Sequence, residues 1–250
     1  MIASGYQIMV KQIASERPIL EDLSRVFPKG APKPGTLTEI SGVPGTGRSE
    51  MLLRIIARTV LPHAYGGKSS KVILMDLNHK VDQVDEVLRD VVTANGTFTV
   101  QEDITDIVKN GLGSIINVAC YSSEQFDLAL DELEDLLWDN EDVSLLAIDG
   151  LDAFYWEDCY LRLQRMATHY KRLCQRLKAI CREHNICCIY TLDDNYLQSK
   201  SSKIILTWAL RMEDNTCGSR FRGIVRKMLR LTVSATTKRG SKWNGKFFVF

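Results

Sequence analysis

The chain has 250 residues, 45% hydrophobic and 25% charged, with a net charge of +1, a balance that suits one large core. No run of about 18 uncharged apolar residues occurs, and Met1 to Pro18 carries Lys11, Glu16 and Arg17 where a signal peptide would be apolar, which excludes a secreted or membrane-spanning reading. The seven cysteines (Cys120, Cys159, Cys174, Cys181, Cys187, Cys188 and Cys217) form no C-x-x-C pair, so they read as reduced core residues in a reducing compartment.

In chain order, Thr36 to Ser41 alternates as a half-buried strand, and Ser49 to Leu61 follows as a helix. Met51, Leu52, Ile55, Ile56, Thr59 and Val60 line one helical face, and Pro62 ends it. Between strand and helix lies Gly42-Val43-Pro44-Gly45-Thr46-Gly47-Arg48-Ser49, which is G-x-x-x-x-G-K-[ST] with arginine in the lysine position. A glycine-rich loop opening a helix aims backbone N–H groups and the positive end of the helix dipole at one point, so it holds phosphates with little side-chain help. Arg48 keeps the charge, but it is longer, planar and forked where lysine is a compact point charge. The expectation is a site that binds ATP and cleaves it slowly or not at all.

Lys71 to Asp76 reads as a buried strand ending in a carboxylate, followed by a helix with Val84, Val87, Leu88 and Val91 on one face. Ile115 to Cys120 is a third strand. It leads to a helix opened by Ser122 with Gln125 three residues on, carrying Phe126, Ala129, Leu133 and Leu137. Ser144 to Asp149 is the fourth strand. A long amphipathic helix, Asp158 to His184, precedes the fifth, Ile186 to Thr191. Strands alternating with helices imply an α/β fold, a mostly parallel sheet with helices on both faces, whose ligands gather at the strands' carboxyl ends. From Lys203 onward, short extended runs (Ile204 to Met212, Phe221 to Val233, Lys246 to Phe250) read as a strand meander added to one edge.

Asp149, at the end of an apolar strand, supplies the expected second half of the site: with the Ser49 hydroxyl it can hold Mg2+. The residues expected to orient and deprotonate an attacking water are Asp76, Leu77, Asn78 and His79. Asn78 hydrogen-bonds water but takes no proton, and losing a general base costs about 10²- to 10⁴-fold in rate. Asp76 and His79 are weaker substitutes, a loop histidine being more often just solvent-facing.

The net charge hides an asymmetry. Residues 76 to 158 hold 21 acidic and 3 basic side chains, whereas residues 159 to 250 hold 19 basic and 5 acidic, and none of the acids lies between Ser219 and Phe250. The basic run (Arg220, Arg222, Arg226, Lys227, Arg230, Lys238, Arg239, Lys242, Lys246) reads either as a surface for nucleic acid or an acidic partner, or as a solvated face balanced by the acidic segment. The same two readings apply to Arg162, Arg165, Lys171, Arg172, Arg176, Lys178 and Arg182 on the long helix.

These residues resemble the RecA-like recombinase paralogues of eukaryotic homologous recombination. The resemblance rests on Gly45 to Leu52, on Ala57-Arg58 and Leu61-Pro62 closing the helix, and on Leu145 to Asp149 followed by Ala153-Phe154-Tyr155-Trp156. It covers Thr36 to Thr191; the C-terminal third agrees only in character. It implies a RecA-like P-loop NTPase core over residues 36–250 behind a short segment, 1–35, without the helical DNA-binding domain or the Phe-x-x-Ala plug of full recombinases. Phe27 to Ala31 is one residue too long for that plug. It further implies that Asn78 falls at the family's base glutamate, that Asp193 falls at its polar sensor, and that DNA-gripping loops follow Asp149 and Thr191, the second over Asp194 to Lys203. The implied protein is nuclear, binds ATP and Mg2+, works in DNA double-strand-break repair, and pairs with another recombinase paralogue in a hetero-oligomer that meets DNA directly or through the partner. Phe154, Tyr155 and Trp156 read equally as anchors for that partner and as core. Two other functions compete with a non-catalytic or weakly catalytic subunit: an active DNA-dependent ATPase assisting strand exchange, which Arg48 and Asn78 oppose, and a small-molecule P-loop kinase, whose arginine-bearing lid has no glycine hinge here.

Overall fold

A computed structural model of the chain describes residues 32–95, 101–162 and 165–193, the isolated positions Met9 and Gln12, and the strands 208–213, 229–236 and 242–249. Strand and helix alternate as β1 (Leu37–Gly42), α1 (Arg48–Val60), β2 (Lys71–Asp76), α2 (Gln83–Asn95), α3 (Gln101–Gly113), β3 (Ile115–Ala119), α4 (Ser123–Asp131), α5 (Leu133–Asp139), β4 (Val143–Asp149), α6 (Tyr155–Arg162), α7 (Met166–Glu183) and β5 (Cys187–Asp193). Three more strands, β6 (Trp208–Glu213), β7 (Leu229–Thr236) and β8 (Lys242–Val249), complete one sheet of order β3-β2-β4-β5-β1-β6-β7-β8. This is the α/β architecture expected, a mostly parallel sheet flanked by helices on both faces with the meander on one edge.

Side-chain alternation along the strands explains the two layers. Ile40, Leu74, Leu145, Ala147 and Ile189 point to one side, where Met51, Leu52, Ile55 and Ile56 of α1, Val84 and Leu88 of α2, and Val108 of α3 close a core. Leu37, Ile73, Met75, Leu146, Ile148 and Tyr190 point to the other, against Phe126 and Leu130 of α4, Leu133 and Leu137 of α5, and Leu173, Leu177 and Ile180 of α7. Continuing the first set by two residues puts Asp76, Asp149 and Thr191, and by two more Asp193, at the strand tips beneath the start of α1. The fold thus delivers three carboxylates and a hydroxyl to one place.

Several elements depart from the sequence reading. Helix α3 was not anticipated: Ile104, Ile107 and Val108 give it a buried stripe, but Gly111 and Gly113 blur its end and the apolar face is short. The helix opened by Ser122 divides at Glu132 into α4 and α5. Its start is as expected, for the Gln125 N–H donates to Ser122 Oγ at 3.3 Å while Gln125 Oε1 accepts from the Tyr121 N–H at 2.8 Å. The helix expected from Asp158 to His184 is two helices, α6 and α7, and Arg165 just before the second is extended (φ −68°, ψ 135°). Buried Asp158 accepts from Ser123 Oγ at 2.6 Å and stands 3.9 Å from His169 Nε2, tying α4, α6 and α7 together. In the meander, β6 runs parallel to β1, and only β7 and β8 turn antiparallel.

Of the described cysteines, Cys120, Cys174, Cys181, Cys187 and Cys188 are buried and Cys159 is half-buried. Burial pushes the Cys174 thiol up to about 11 and raises those of Cys120, Cys187 and Cys188 as well, which keeps them protonated and unreactive. Among the described residues no helix is long and apolar enough to cross a membrane.

Candidate nucleotide-binding site

The segment from Gly42 to Ser49 forms a tight loop between β1 and α1. Thr46 closes it by donating to the Val43 carbonyl through its N–H at 3.3 Å and its hydroxyl at 2.8 Å. Pro44 and Gly45 form the exposed crown, and Gly45 and Gly47 both take left-handed backbone (φ 84° and 89°), where a side chain would be strained. Gly47 is the N-cap of α1 and no side chain caps the helix. Its first turn therefore keeps N–H donors and the positive dipole end for an anion, a donor set of the kind that fits a phosphate group.

Beneath the loop, Ser49 Oγ donates to Asp149 Oδ1 at 2.9 Å. The same oxygen accepts from Thr191 Oγ1 at 2.6 Å, and Thr191 Oγ1 in turn takes the Gly150 N–H at 2.7 Å. Asp149 is 1% exposed, yet its Oδ2 accepts no hydrogen bond. On the neighbouring strand Asp76 faces Asp149 in register and is 2% exposed. Its Oδ2 accepts from the Val81 N–H at 2.8 Å and its Oδ1 from nothing. Buried carboxylate oxygens without partners are costly, and such an acceptor set fits a cation. Ser49 and Asp149, the expected metal pair, are brought together.

Arg48 is engaged at the tip of β5, beside the loop. Its guanidinium pairs with Asp193 Oδ2 at 3.4 Å, with both side chains about four-fifths buried. The Asp193 N–H donates to Asp152 Oδ1 at 3.3 Å. Burial pushes the Asp152 carboxyl above its ordinary range; its hydrogen bonds and Arg48 pull it back, and the neighbouring Asp193 adds to the rise. The arginine that stands in the lysine position is thus held to one side by the residue expected at the sensor position.

Asn78 is exposed at the tip of β2. A Cβ on Gly150 would lie 2.6 Å from its Nδ2, and Gly150 has φ 90°, so both the backbone there and the space beside it require glycine. Its neighbour His79 (φ 53°) stacks on Tyr121 with ring centroids 4.5 Å apart.

The sequence reading missed two members of the site. Thr191 was legible from strand alternation, standing two residues past Ile189 on the same face. Lys80, whose Nζ donates to Ser49 Oγ at 3.3 Å, was not, because only the turn after β2 brings it back to the loop. The aromatic string divides: Tyr155 is buried, Phe154 packs partly against the core, and Trp156 is 62% exposed. Arg172 and Arg176 on α7 pair with Asp127, and Arg176 also with Asp131, so part of the basic row is matched by the acidic segment. The loop Asp194 to Lys203, Phe27 to Ala31, Cys217 and the basic side chains from Arg220 onward lie outside the described residues, as does the side chain of Arg162.

Fold and strand-tip site define an α/β core of the RecA-like kind. No family model matches the chain. It is 30% identical to the mouse DNA repair protein XRCC2 over 160 residues, 57% of this chain and 55% of that protein. It is 28% identical to DNA repair protein RAD51 homolog 2 of Arabidopsis thaliana over 119 residues (48% of this chain, 31% of that one) and 25% identical to DNA repair protein RAD51 homolog 3 of Dictyostelium discoideum over 160 residues (60% and 41%). The chain is thus similar to DNA repair proteins that include two RAD51 homologues, and it spans about half or less of the length of these relatives.

Proposed function

We propose that the chain is an ATP-binding, non-catalytic or weakly catalytic subunit of a recombinase-paralogue complex acting in homologous-recombination repair of DNA in the nucleus. The observation that carries the reading is the Ser49–Asp149 hydrogen bond beneath an uncapped glycine loop, beside a buried carboxylate oxygen left without a partner. Gly42, Val43, Pro44, Gly45, Thr46, Gly47, Arg48 and Ser49 would cradle the phosphates of ATP, and Ser49 with Asp149 would hold Mg2+. Bound ATP would supply charge and contact area across the strand tips, stabilising the fold or an interface by mass action.

Weak turnover follows from the neighbouring groups. Asn78 accepts no proton, Asp76 is buried and bonded to a backbone N–H, and Arg48 is drawn to Asp193 rather than to a developing negative charge. The names of its relatives support a role in DNA repair; a recombinase-paralogue partner, and DNA contact made directly or through that partner, are part of the same proposal. Exposed Trp156 beside buried Tyr155 is a candidate anchor for the partner.

Two measurements test this. Equilibrium binding of a fluorescent ATP analogue should be detectable, and single-turnover hydrolysis should stay at background with and without single-stranded DNA. Rapid phosphate release stimulated by DNA would reject the weakly catalytic reading, and absence of nucleotide binding would reject the site. Replacing Arg48 with alanine should disturb repair little if nucleotide is dispensable to the complex.

A further inference from the structure

We propose that the Lys80 ammonium occupies the place that a divalent metal takes at a phosphate-binding loop, so that this site binds nucleotide with little dependence on magnesium. The inference rests on the nucleotide-binding reading above and deepens it, replacing only the ligation of Mg2+ by Ser49 and Asp149 given there.

The geometry starts at Ser49. A serine hydroxyl has one proton and two lone pairs. Here the proton is committed to Asp149 Oδ1, and the oxygen accepts from Lys80 Nζ at 3.3 Å. A metal at such a loop would take the same hydroxyl oxygen as a ligand. One lone pair then remains for a metal, and Mg2+ insists on near-octahedral oxygen contacts at about 2.0–2.1 Å, which a second cation already seated on the same oxygen opposes by repulsion.

The local chain explains how Lys80 arrives there. Strand β2 ends at Asp76, whose Oδ2 captures the Val81 N–H five residues on, and His79 adopts φ 53° within the turn. The closure folds the segment back over the strand tips and returns Lys80 to the loop. The need for a cation is visible beneath it: Asp76 and Asp149 face each other in register, each at least 98% buried and each with one oxygen that accepts no hydrogen bond. Lys80 brings a positive charge to the rim of this cluster through Ser49, without bonding to either carboxylate. The loop's own cation does not serve, since Arg48 is engaged with Asp193.

An ammonium is also chemically suited to the post. It is a compact point charge with three donors, so one N–H on Ser49 leaves two for phosphate oxygens. Lys80 would thus combine two tasks: the point-charge grip on phosphate that a lysine at position 48 would give and Arg48 does not, and the charge otherwise brought by the metal.

The test is equilibrium binding of a fluorescent ATP analogue to the full chain, in magnesium buffer and in excess chelator, for the wild type and Lys80→Gln. The proposal expects the wild-type dissociation constant to change by less than about threefold on chelation, and Lys80→Gln to weaken binding in chelator by about tenfold or more, with magnesium restoring most of it. A larger wild-type loss on chelation, or an unchanged Lys80→Gln affinity in chelator, overturns it while leaving the nucleotide site standing. No binding by the wild type in either buffer removes the nucleotide reading itself. Lys80 is half-buried on a turn, so the variant should melt with the wild type, and the wild-type chelation measurement decides even if it does not.

Discussion

Two buried acidic clusters lie on opposite faces of the same sheet and are finished to different degrees. On the face of α7, Glu39 of β1 accepts from Tyr170 Oη and, at 3.4 Å, from Tyr190 Oη, and the two tyrosine hydroxyls stand 2.8 Å apart with Cys174 Sγ 3.6 Å beyond. On the face of α1, Asp149 and Asp76 each keep an oxygen without a hydrogen bond. The same burial and strands yield a closed network in one case and an open one in the other. A closed network locks helix to sheet; an open one marks the place where the protein accepts stability loss for a ligand.

The sharpest way to break this comparison is to remove each carboxylate's role separately. Glu39→Ala strips two buried hydroxyls of their acceptor and leaves a void, so it should lower stability by roughly 2–4 kcal/mol in urea unfolding while leaving nucleotide affinity unchanged. If nucleotide affinity falls as well, the two faces are coupled and the division fails. The tyrosines give the same network a pH signature. Burial and the nearby Glu39 raise the Tyr170 and Tyr190 phenols well above the ordinary 10.0. A raised folded-state value means the unfolded chain loses its protons first, so the contribution is complete below pH 10 and disappears as pH climbs beyond it. Stability should fall steeply above about pH 10, and Tyr190→Phe should flatten that slope relative to its own neutral value.

How much of this was readable beforehand follows from the range of each interaction. The five alternating strands, the loop and the Ser49–Asp149 pair were legible because each is announced by local pattern: period-two strands, glycines needing left-handed backbone, an apolar run ending in Asp. Glu39 gives no such signal, since a carboxylate on a half-buried strand looks solvent-facing until Tyr170, 131 positions away, is packed over it. Lys80 is hidden for a related reason: its role depends on Asp76 capturing the Val81 N–H. The breaks at Glu132 and before Met166 escape a sequence reading because apolar spacing continues across them, and tertiary packing rather than propensity sets where those helices stop.

A smaller effect is expected at the edge of the open cluster. Asp152 gains a proton more readily in the folded state, chiefly because it is buried. Its contribution is therefore favourable below the unfolded-state value of about 3.8 and is lost as pH rises through the folded-state value. At neutral pH it opposes folding. Asp152→Asn keeps an oxygen that can accept from the Asp193 N–H, so it should raise the neutral-pH melting temperature modestly, with the gain shrinking in acid. If it lowers the melting temperature, the attraction of Arg48 outweighs the burial cost and the site is more nearly closed than its geometry implies.

The smallest expected change concerns the acidic residues that neither face has buried. Asp127 and Asp131 on α4 meet Arg176 of α7, with Nη1 3.3 Å from Asp127 Oδ1 and Nη2 also on the Asp127 carbonyl at 3.1 Å. Asp131 is 73% exposed and Arg176 29%, so water and salt screen the pair. Arg176→Ala should cost only about 0.5–1 kcal/mol, less at high ionic strength. The same variant separates the two readings of the basic row. If Arg176 serves mainly to fasten α7 to α4, the change leaves the DNA affinity of the proposed complex intact. If it tracks phosphates, affinity drops and the salt dependence of binding becomes shallower by about one ion. Because Arg176 already spends its donors on two carboxylates and a carbonyl, the geometry favours the first outcome.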